Sequence, residues 1–469
     1  MSDINEEQTS VNAVLAQLDE AQQQSLQRLF EWLRIPSISA DPAYDDACKE
    51  AADWAARQLE EIGFSTTVHP TTGKPMVVGH WRHPNPSARH VLFYGHYDVQ
   101  PVDPLELWEK PPFEPHIAQN PLNGPVIVAR GANDDKGQVM TFLEACRAWR
   151  DETGSLPVSI SVFLEGEEES GSHSLPAFLK SHGDELKAEY VLVCDTTQWD
   201  RKTPAVTTSL RGIAHIELTL SGPKRDLHSG VFGGPALNPI RALTYVLGGL
   251  FDENGRIQIP GFYDGITDPT AEQIAQWQAL NFDIAEFLGE AGLSQPAGEA
   301  DRSPLEQLWS RPTAEINGIW GGYTGEGNKT VIPSEASAKL TFRLVPGQDP
   351  ERVLDGFKAF VAERLPVDSR VTFKNAGGTA ALSSDTTHPI MRQIASALHA
   401  EWNVAPVFMG CGASIPVVEA FKRELEMDTA LVGFGLNDDG VHSPNEKFNV
   451  ECFTKGARSW ARIIGKLAE

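Results

Sequence analysis

The chain has 469 residues, of which 41% are hydrophobic, with 64 acidic against 39 basic residues and a formal charge of −25. That length favours two domains over a single core. The acidic balance argues against nucleic-acid or anionic-membrane partners, both of which need a basic face.

The chain starts Met-Ser-Asp-Ile-Asn-Glu-Glu-Gln. This has no basic start followed by an apolar stretch, so no secretion signal is expected. No apolar run approaches membrane-spanning length. The five cysteines (48, 146, 194, 411 and 452) are scattered and odd in number, which suits reduced thiols in a cytoplasm. Residues 8–33 read as a helical segment, and 44–62 as an amphipathic helix stopped by Gly63. Apolar runs at 91–95, 126–129, 158–164 and 190–194 read as strands, with a helix over 137–150 between two of them. Such alternation predicts an α/β domain with a mostly parallel mixed sheet and flanking helices. From 212 the texture changes. Residues 213–220 and 338–344 alternate apolar and polar side chains, as strands with one wet face do. A helix over 351–364 and a strand over 370–373 complete an α+β pattern. The stretch 252–318 shows no readable periodicity. The α/β texture returns with a helix at 387–400 and a strand near 429–434. The expected organisation is a discontinuous catalytic domain, 1–211 and 380–469, interrupted by an inserted α+β domain, 212–379.

Five segments carry side chains with chemistry. His96 and Asp98 end the first apolar run two positions apart, so an extended chain puts them on one face. A carboxylate can then hold one imidazole nitrogen while the other faces a metal. Asp134 and Asp135 lie in a glycine-flanked loop ahead of a helix, where acids also serve as ordinary caps. Residues 165–169 put four carboxylates after a strand, so they must be solvated, protonated or neutralised by a cation. Glu168 and Glu169 can share a site only if the strand has ended, which Gly166 and Gly171 permit. Asp195 ends another strand beside Cys194, which reads as a buried thiol. His442 sits in a glycine-flanked loop. Singly, each reads as a turn or a solvated loop. Together they make the donor inventory of a two-metal site, which needs mixed imidazole and carboxylate ligands and a bridging carboxylate.

These motifs resemble the M20 family of metallopeptidases, most closely its cytosolic nonspecific dipeptidase and carnosinase branch. The resemblance rests on His96-Tyr97-Asp98-Val99-Gln100-Pro101, Asp134-Asp135-Lys136-Gly137, Glu168-Glu169-Ser170-Gly171-Ser172, Asp226-Leu227-His228-Ser229-Gly230 and His442-Ser443-Pro444-Asn445-Glu446-Lys447. It implies that Asp134 bridges two divalent ions, zinc first, with manganese and cobalt also accepted by such donors. His96 and Asp195 would complete one site, and Glu169 and His442 the other, while Asp98 orients His96. It implies a cis peptide at Asp134–Asp135 and Glu168 as the base acting on a metal-bridging water. Three anionic ligands against two dications leave a net positive charge, which favours an ionised water and a polarised carbonyl. The resemblance further implies a homodimer in which His228 reaches the partner's site and stabilises the oxyanion. The inserted domain would then be a lid and dimerisation domain. Thr330, Arg343 and Ser414 would bind substrate, Arg343 by gripping a free C-terminal carboxylate.

The expected activity is therefore hydrolysis of dipeptides or short peptides. A related deacylase or carboxypeptidase of the same family would share every metal residue. A non-catalytic scaffold on this fold would be expected to lack a ligand or the base, and here all five ligands and Glu168 are present.

Overall fold

A computed structural model describes residues 2–121, 124–412 and 415–469. The chain divides into two compact units: 1–208, 384–409 and 416–469 form one, and 209–383 with 410–415 form the other.

The first unit is built on a mixed sheet. Its strand order is Ser65–His69, Met76–Trp81, Ser159–Glu165, His90–His96, Tyr190–Val193, Thr429–Leu431 and Ala205–Leu210. The four strands from Ser159–Glu165 to Thr429–Leu431 run parallel, and antiparallel pairs flank them. Val91, Leu92, Phe93 and Tyr94 are all fully buried. This is why a central strand reads as one unbroken apolar run: helices cover both of its faces. The helix Asp45–Ile62 buries Cys48, Ala51, Ala52, Ala55, Leu59 and Ile62, a single stripe at helical spacing. It ends at Gly63, whose φ of 106° is the left-handed cap that glycine adopts without a Cβ clash. The helix Lys136–Thr153 is buried along most of its length. Its Glu144 carboxylate takes bonds from the Arg28 guanidinium, at 2.7 and 2.5 Å, and from Ser25.

Two expectations change in detail. The N-terminal helical segment is two helices, Ser2–Glu20 and Gln22–Leu33. The apolar run at 126–129 belongs to a strand, Gly124–Val128, of a separate three-stranded antiparallel sheet with His116–Asn120 and Lys447–Asn449.

The second unit carries a four-stranded antiparallel sheet in the order Thr313–Gly321, Glu335–Leu344, Gly212–Ser221 and Arg370–Thr379. Ala214, Ile216, Leu218 and Leu220 alternate into its core with Ala338, Leu340 and Phe342. The helices Pro239–Gly248 and Pro350–Arg364 supply Leu243, Val246, Phe357 and Phe360 to that core. The stretch without readable periodicity holds three short helices: Ala271–Ala279, Ile284–Glu290 and Pro304–Trp309. Two of them start at reciprocal side-chain caps, Thr270 with Gln273 and Ser303 with Glu306.

Gly95 precedes His96 in the central strand. A Cβ there would lie 2.4 Å from Val139 Cγ2 and 2.8 Å from Asp135 Oδ2. Gly95→Ala is therefore expected to destabilise the protein by about 1–3 kcal/mol through overpacking. Chemical denaturation checks this, and an unchanged midpoint would contradict it.

Candidate metal centre

The parallel register brings the chemistry to one edge of the sheet. His96 pairs with Glu165, and Tyr94 with Val193. The C-terminal ends of three adjacent strands are therefore level, the position where open α/β sheets bind ligands. His96 is the last residue of its strand, Glu168 follows Glu165 by one short turn, and Asp195 lies two residues beyond Val193. Glu168–Ser170 is a 3-10 turn closed by Gly171 at φ 97°. The strand has thus ended, and both glutamates are free to share the site.

Asp134 lies between the strand Gly124–Val128 and the helix Lys136–Thr153. Its peptide bond to Asp135 is cis. The loop is held by Glu446, whose carboxylate accepts the N–H groups of Gly131, Asn133 and Asp134 at 2.9–3.0 Å and the Arg130 guanidinium at 2.7 Å. His442 enters from the late segment with φ 63°, a left-handed conformation costly for a residue with a Cβ.

The two oxygens of Asp134 face different imidazoles. Oδ1 lies 3.0 Å from His96 Nε2, and Oδ2 lies 2.9 Å from His442 Nε2. Asp195 Oδ2 is 3.9 Å from His96 Nε2, and Glu169 Oε2 is 3.3 Å from His442 Nε2. His96, Asp134 and Asp195 therefore form one group of donors within 4.8 Å of one another, and Asp134, Glu169 and His442 form a second. Mixed imidazole and carboxylate donors with a shared carboxylate fit divalent zinc, manganese or cobalt. Asp98 is outside both groups. His96 Nδ1, on the ring edge away from Asp134, lies 3.1 Å from the Asp98 carbonyl and 3.3 Å from Asp98 Oδ1, and the Asp98 carboxylate accepts the N–H groups of Glu168 and Glu169. It thereby joins the histidine to the glutamate turn.

Charge is concentrated here. Burial and the neighbouring Asp195 and Glu169 carboxylates push Glu168 up to about 8. Burial and Asp134 push Asp195 up to about 7 and raise Glu169. Bonds to Asp134 and Glu169 raise His442 to about 10. Burial alone would lower His96, but bonds to Asp134 and Asp98 outweigh it and hold the imidazolium well above its usual range. A divalent ion bound among these groups would displace the protons they hold.

Several residues here had no role in the sequence reading. Gln100 Nε2 donates to Glu169 Oε2 at 2.7 Å. Asp135, fully buried, accepts the His96 N–H at 3.1 Å and the Cys194 thiol at 3.3 Å. Gln100, Asp135 and Glu446 all lie inside the quoted motifs, which was the available signal. Cys194 is fully buried, and burial pushes its thiol up.

In the second unit, His228 is exposed and pairs with Val331 in a two-stranded ribbon. Its Nδ1 accepts the Gly230 N–H at 3.0 Å, so Nε2 carries the proton of the neutral ring and points a donor outward. Thr330, also exposed, is adjacent and accepts the Ser229 N–H through its carbonyl at 3.0 Å. Arg343 is half-buried between Ile213 and Thr313 on the neighbouring strands. It makes no ion pair among the described residues. Arg211 lies close enough that burial and the Arg343 charge lower its pKa. Ser414 lies outside the described residues.

The chain matches the model of peptidase family M20/M25/M40 over residues 92–466. It is 30% identical over 462 residues to the Cys-Gly metallodipeptidase DUG1 of Candida albicans, covering 94% of each chain. It is 28% identical over 476 residues to the human Beta-Ala-His dipeptidase, covering 97% of this chain and 92% of that one. The solved structure of the di-peptidase Dug1p from Saccharomyces cerevisiae superimposes with a TM-score of 0.75 at 27% identity, covering 98% of both chains.

The raised Glu168 has a consequence for stability. A carboxyl whose folded pKa of about 8 exceeds its ordinary 4.5 binds its proton more tightly when folded. Its penalty to the folded state therefore grows as pH rises from about 4.5 towards 8. In chelator-treated protein, Glu168→Gln is expected to stabilise by on the order of 2 kcal/mol at pH 7 and much less at pH 5. Thermal melts at the two pH values check this, and equal effects at both would contradict it.

Proposed function

Because the chain belongs to peptidase family M20/M25/M40 and is a metallopeptidase, we propose that it is a dipeptidase. It hydrolyses the peptide bond of dipeptides or short peptides with a free C-terminal carboxylate. The observation that carries this reading is the division of Asp134 between two donor groups, one oxygen towards His96 and the other towards His442. His96, Asp134 and Asp195 would hold one divalent ion, and Asp134, Glu169 and His442 the other, with zinc the first candidate. When bound, the two ions supply Lewis acidity and lower the pKa of a water.

The rest is done by the chain's own residues. Glu168 takes the proton of the attacking water and passes it to the leaving amine nitrogen. Asp98 orients His96 through Nδ1. His228 donates from Nε2 to the developing oxyanion, and it does so in the partner's site of a homodimer. The exposed position of His228 and its Nδ1 bond to Gly230 support that role. Arg343 grips the substrate carboxylate, with Thr330 and Ser414 as further contacts. The lack of an ion pair to Arg343 among the described residues, and the nearby Arg211, support that assignment. Residues 1–211 and 380–469 act as the catalytic domain, with 212–379 as lid and dimerisation domain. The protein works in the cytosol.

Zinc-loaded protein is expected to hydrolyse a dipeptide at least about tenfold faster than its C-terminal amide, since a bidentate charged contact is lost. Equal rates would remove Arg343 from the carboxylate site. Turnover of an N-acyl amino acid but of no dipeptide would replace the dipeptidase reading with a deacylase. His228→Ala is expected to lower kcat by about 100-fold or more with the metal content unchanged. Full turnover by that variant, measured with saturating dipeptide, would refute the oxyanion role.

A further inference from the structure

A third group of ligating side chains lies in the first unit and shares no residue with the Asp134 centre. His69 ends the edge strand Ser65–His69, and His182 and Glu185 lie three apart on one face of the helix Leu175–Leu186. We infer that His69, His182 and Glu185 bind a zinc ion at a separate site that fastens this helix to the edge of the sheet.

Three observations carry the inference. One donor atom from each of the three residues lies within 4.8 Å of the others. His69 Nε2 and Glu185 Oε1 are both buried with no hydrogen-bonding partner among the described residues. They face each other at 3.7 Å, too far for a hydrogen bond. Two donors each 2.0–2.1 Å from a tetrahedral zinc ion sit roughly 3.4 Å apart, so the spacing suits two ligands of one ion. A hydrogen-bonded histidine–glutamate pair would have closed to about 2.8 Å.

The surroundings hold these donors in place. His182 Nδ1 is bonded to Ser181 Oγ at 2.8 Å, which leaves Nε2 for the ion. The His182 ring stacks on Phe178 at 4.7 Å, and His69 meets the same ring edge-on at 5.4 Å. The second carboxylate oxygen of Glu185 is 3.7 Å from His80 Nε2, and His80 Nδ1 is bonded to Ser161 Oγ at 2.8 Å. His80 thus backs the carboxylate from the next strand. Burial lowers the pKa of His69 and of His80, so the neutral, ligating imidazole is favoured at pH 7. Two imidazoles and a carboxylate, with water in a fourth position, are a donor set that zinc accepts. The helix begins shortly after the Glu168–Ser170 turn, so the ion steadies the element that follows the proposed base.

Zinc bound per full-length chain, measured by mass spectrometry after dialysis against buffered zinc, tests this in two backgrounds. Asp134→Asn, which disables the shared ligand, should leave about one zinc per chain, and adding His182→Ala or Glu185→Gln should remove it. In the unmodified chain, His182→Ala should lower the count by about one. Zinc should also raise the Tm of Asp134→Asn protein, and the shift should vanish with His182→Ala. An Asp134→Asn protein that holds no zinc, or a count indifferent to both helix substitutions, overturns the site. Equal zinc in wild type and Asp134→Asn would instead refute the two-ion reading of the main centre and leave this one standing.

Discussion

The candidate centre depends on one buried carboxylate that is outside both donor groups. Glu446 collects three N–H groups of one loop and a guanidinium. A loop of free N–H groups could not be buried without such an acceptor. Glu446 is also four residues beyond His442, so the same contact that shapes the Asp134 loop anchors the segment bringing the second imidazole. Burial pushes its carboxyl up, and Arg130 pulls it back down. Removing either partner would leave the other charge buried alone, which is among the costlier single defects a core can hold.

Around that anchor the fold accepts a local electrostatic penalty. Glu168, Glu169 and Asp195 are crowded beyond the ends of parallel strands, with Asp134 brought against them by its loop, and all four are at least partly buried. The imidazoles of His96 and His442 offset part of the penalty by holding protons. Consistency between local preference and global fold is broken here and restored nearly everywhere else, the signature of a site shaped by function. Asp98 extends the arrangement. By accepting the N–H groups of Glu168 and Glu169 while lying behind His96, it makes ring orientation and glutamate position one structural variable.

Much of this was readable before any coordinates. His96, Glu168 and Asp195 each follow an apolar run, and in a parallel sheet such runs end level, so linear position translates into proximity. The alternation over 213–220 translates equally well, since one-sided burial has a period of two. What was unreadable lacked such a rule. An apolar run does not say which sheet it joins, and 126–129 joined the smaller one. The helices within 252–318 are too short for periodicity and are defined by their caps. Arg211, between two strands, gains significance only from Arg343, far along the chain. His182 and Glu185 lie three apart in sequence, but nothing ties them to His69, because a strand end and a distant helix meet only in three dimensions.

The pairing of Asp134 with His442 spans 308 residues. Closing so long a loop costs entropy that grows only slowly with length, but contacts of this kind form late and slow the search. Every other member of the two donor groups is made in the first half of the chain, before the interrupting unit. During synthesis, neither group is complete before the segment bearing His442, because Glu446, which holds the Asp134 loop, arrives with it. A growing or truncated chain therefore has an incomplete centre, and hydrolytic competence arrives only with the last segment. For a chain of a peptidase family, the order of assembly is itself a safeguard.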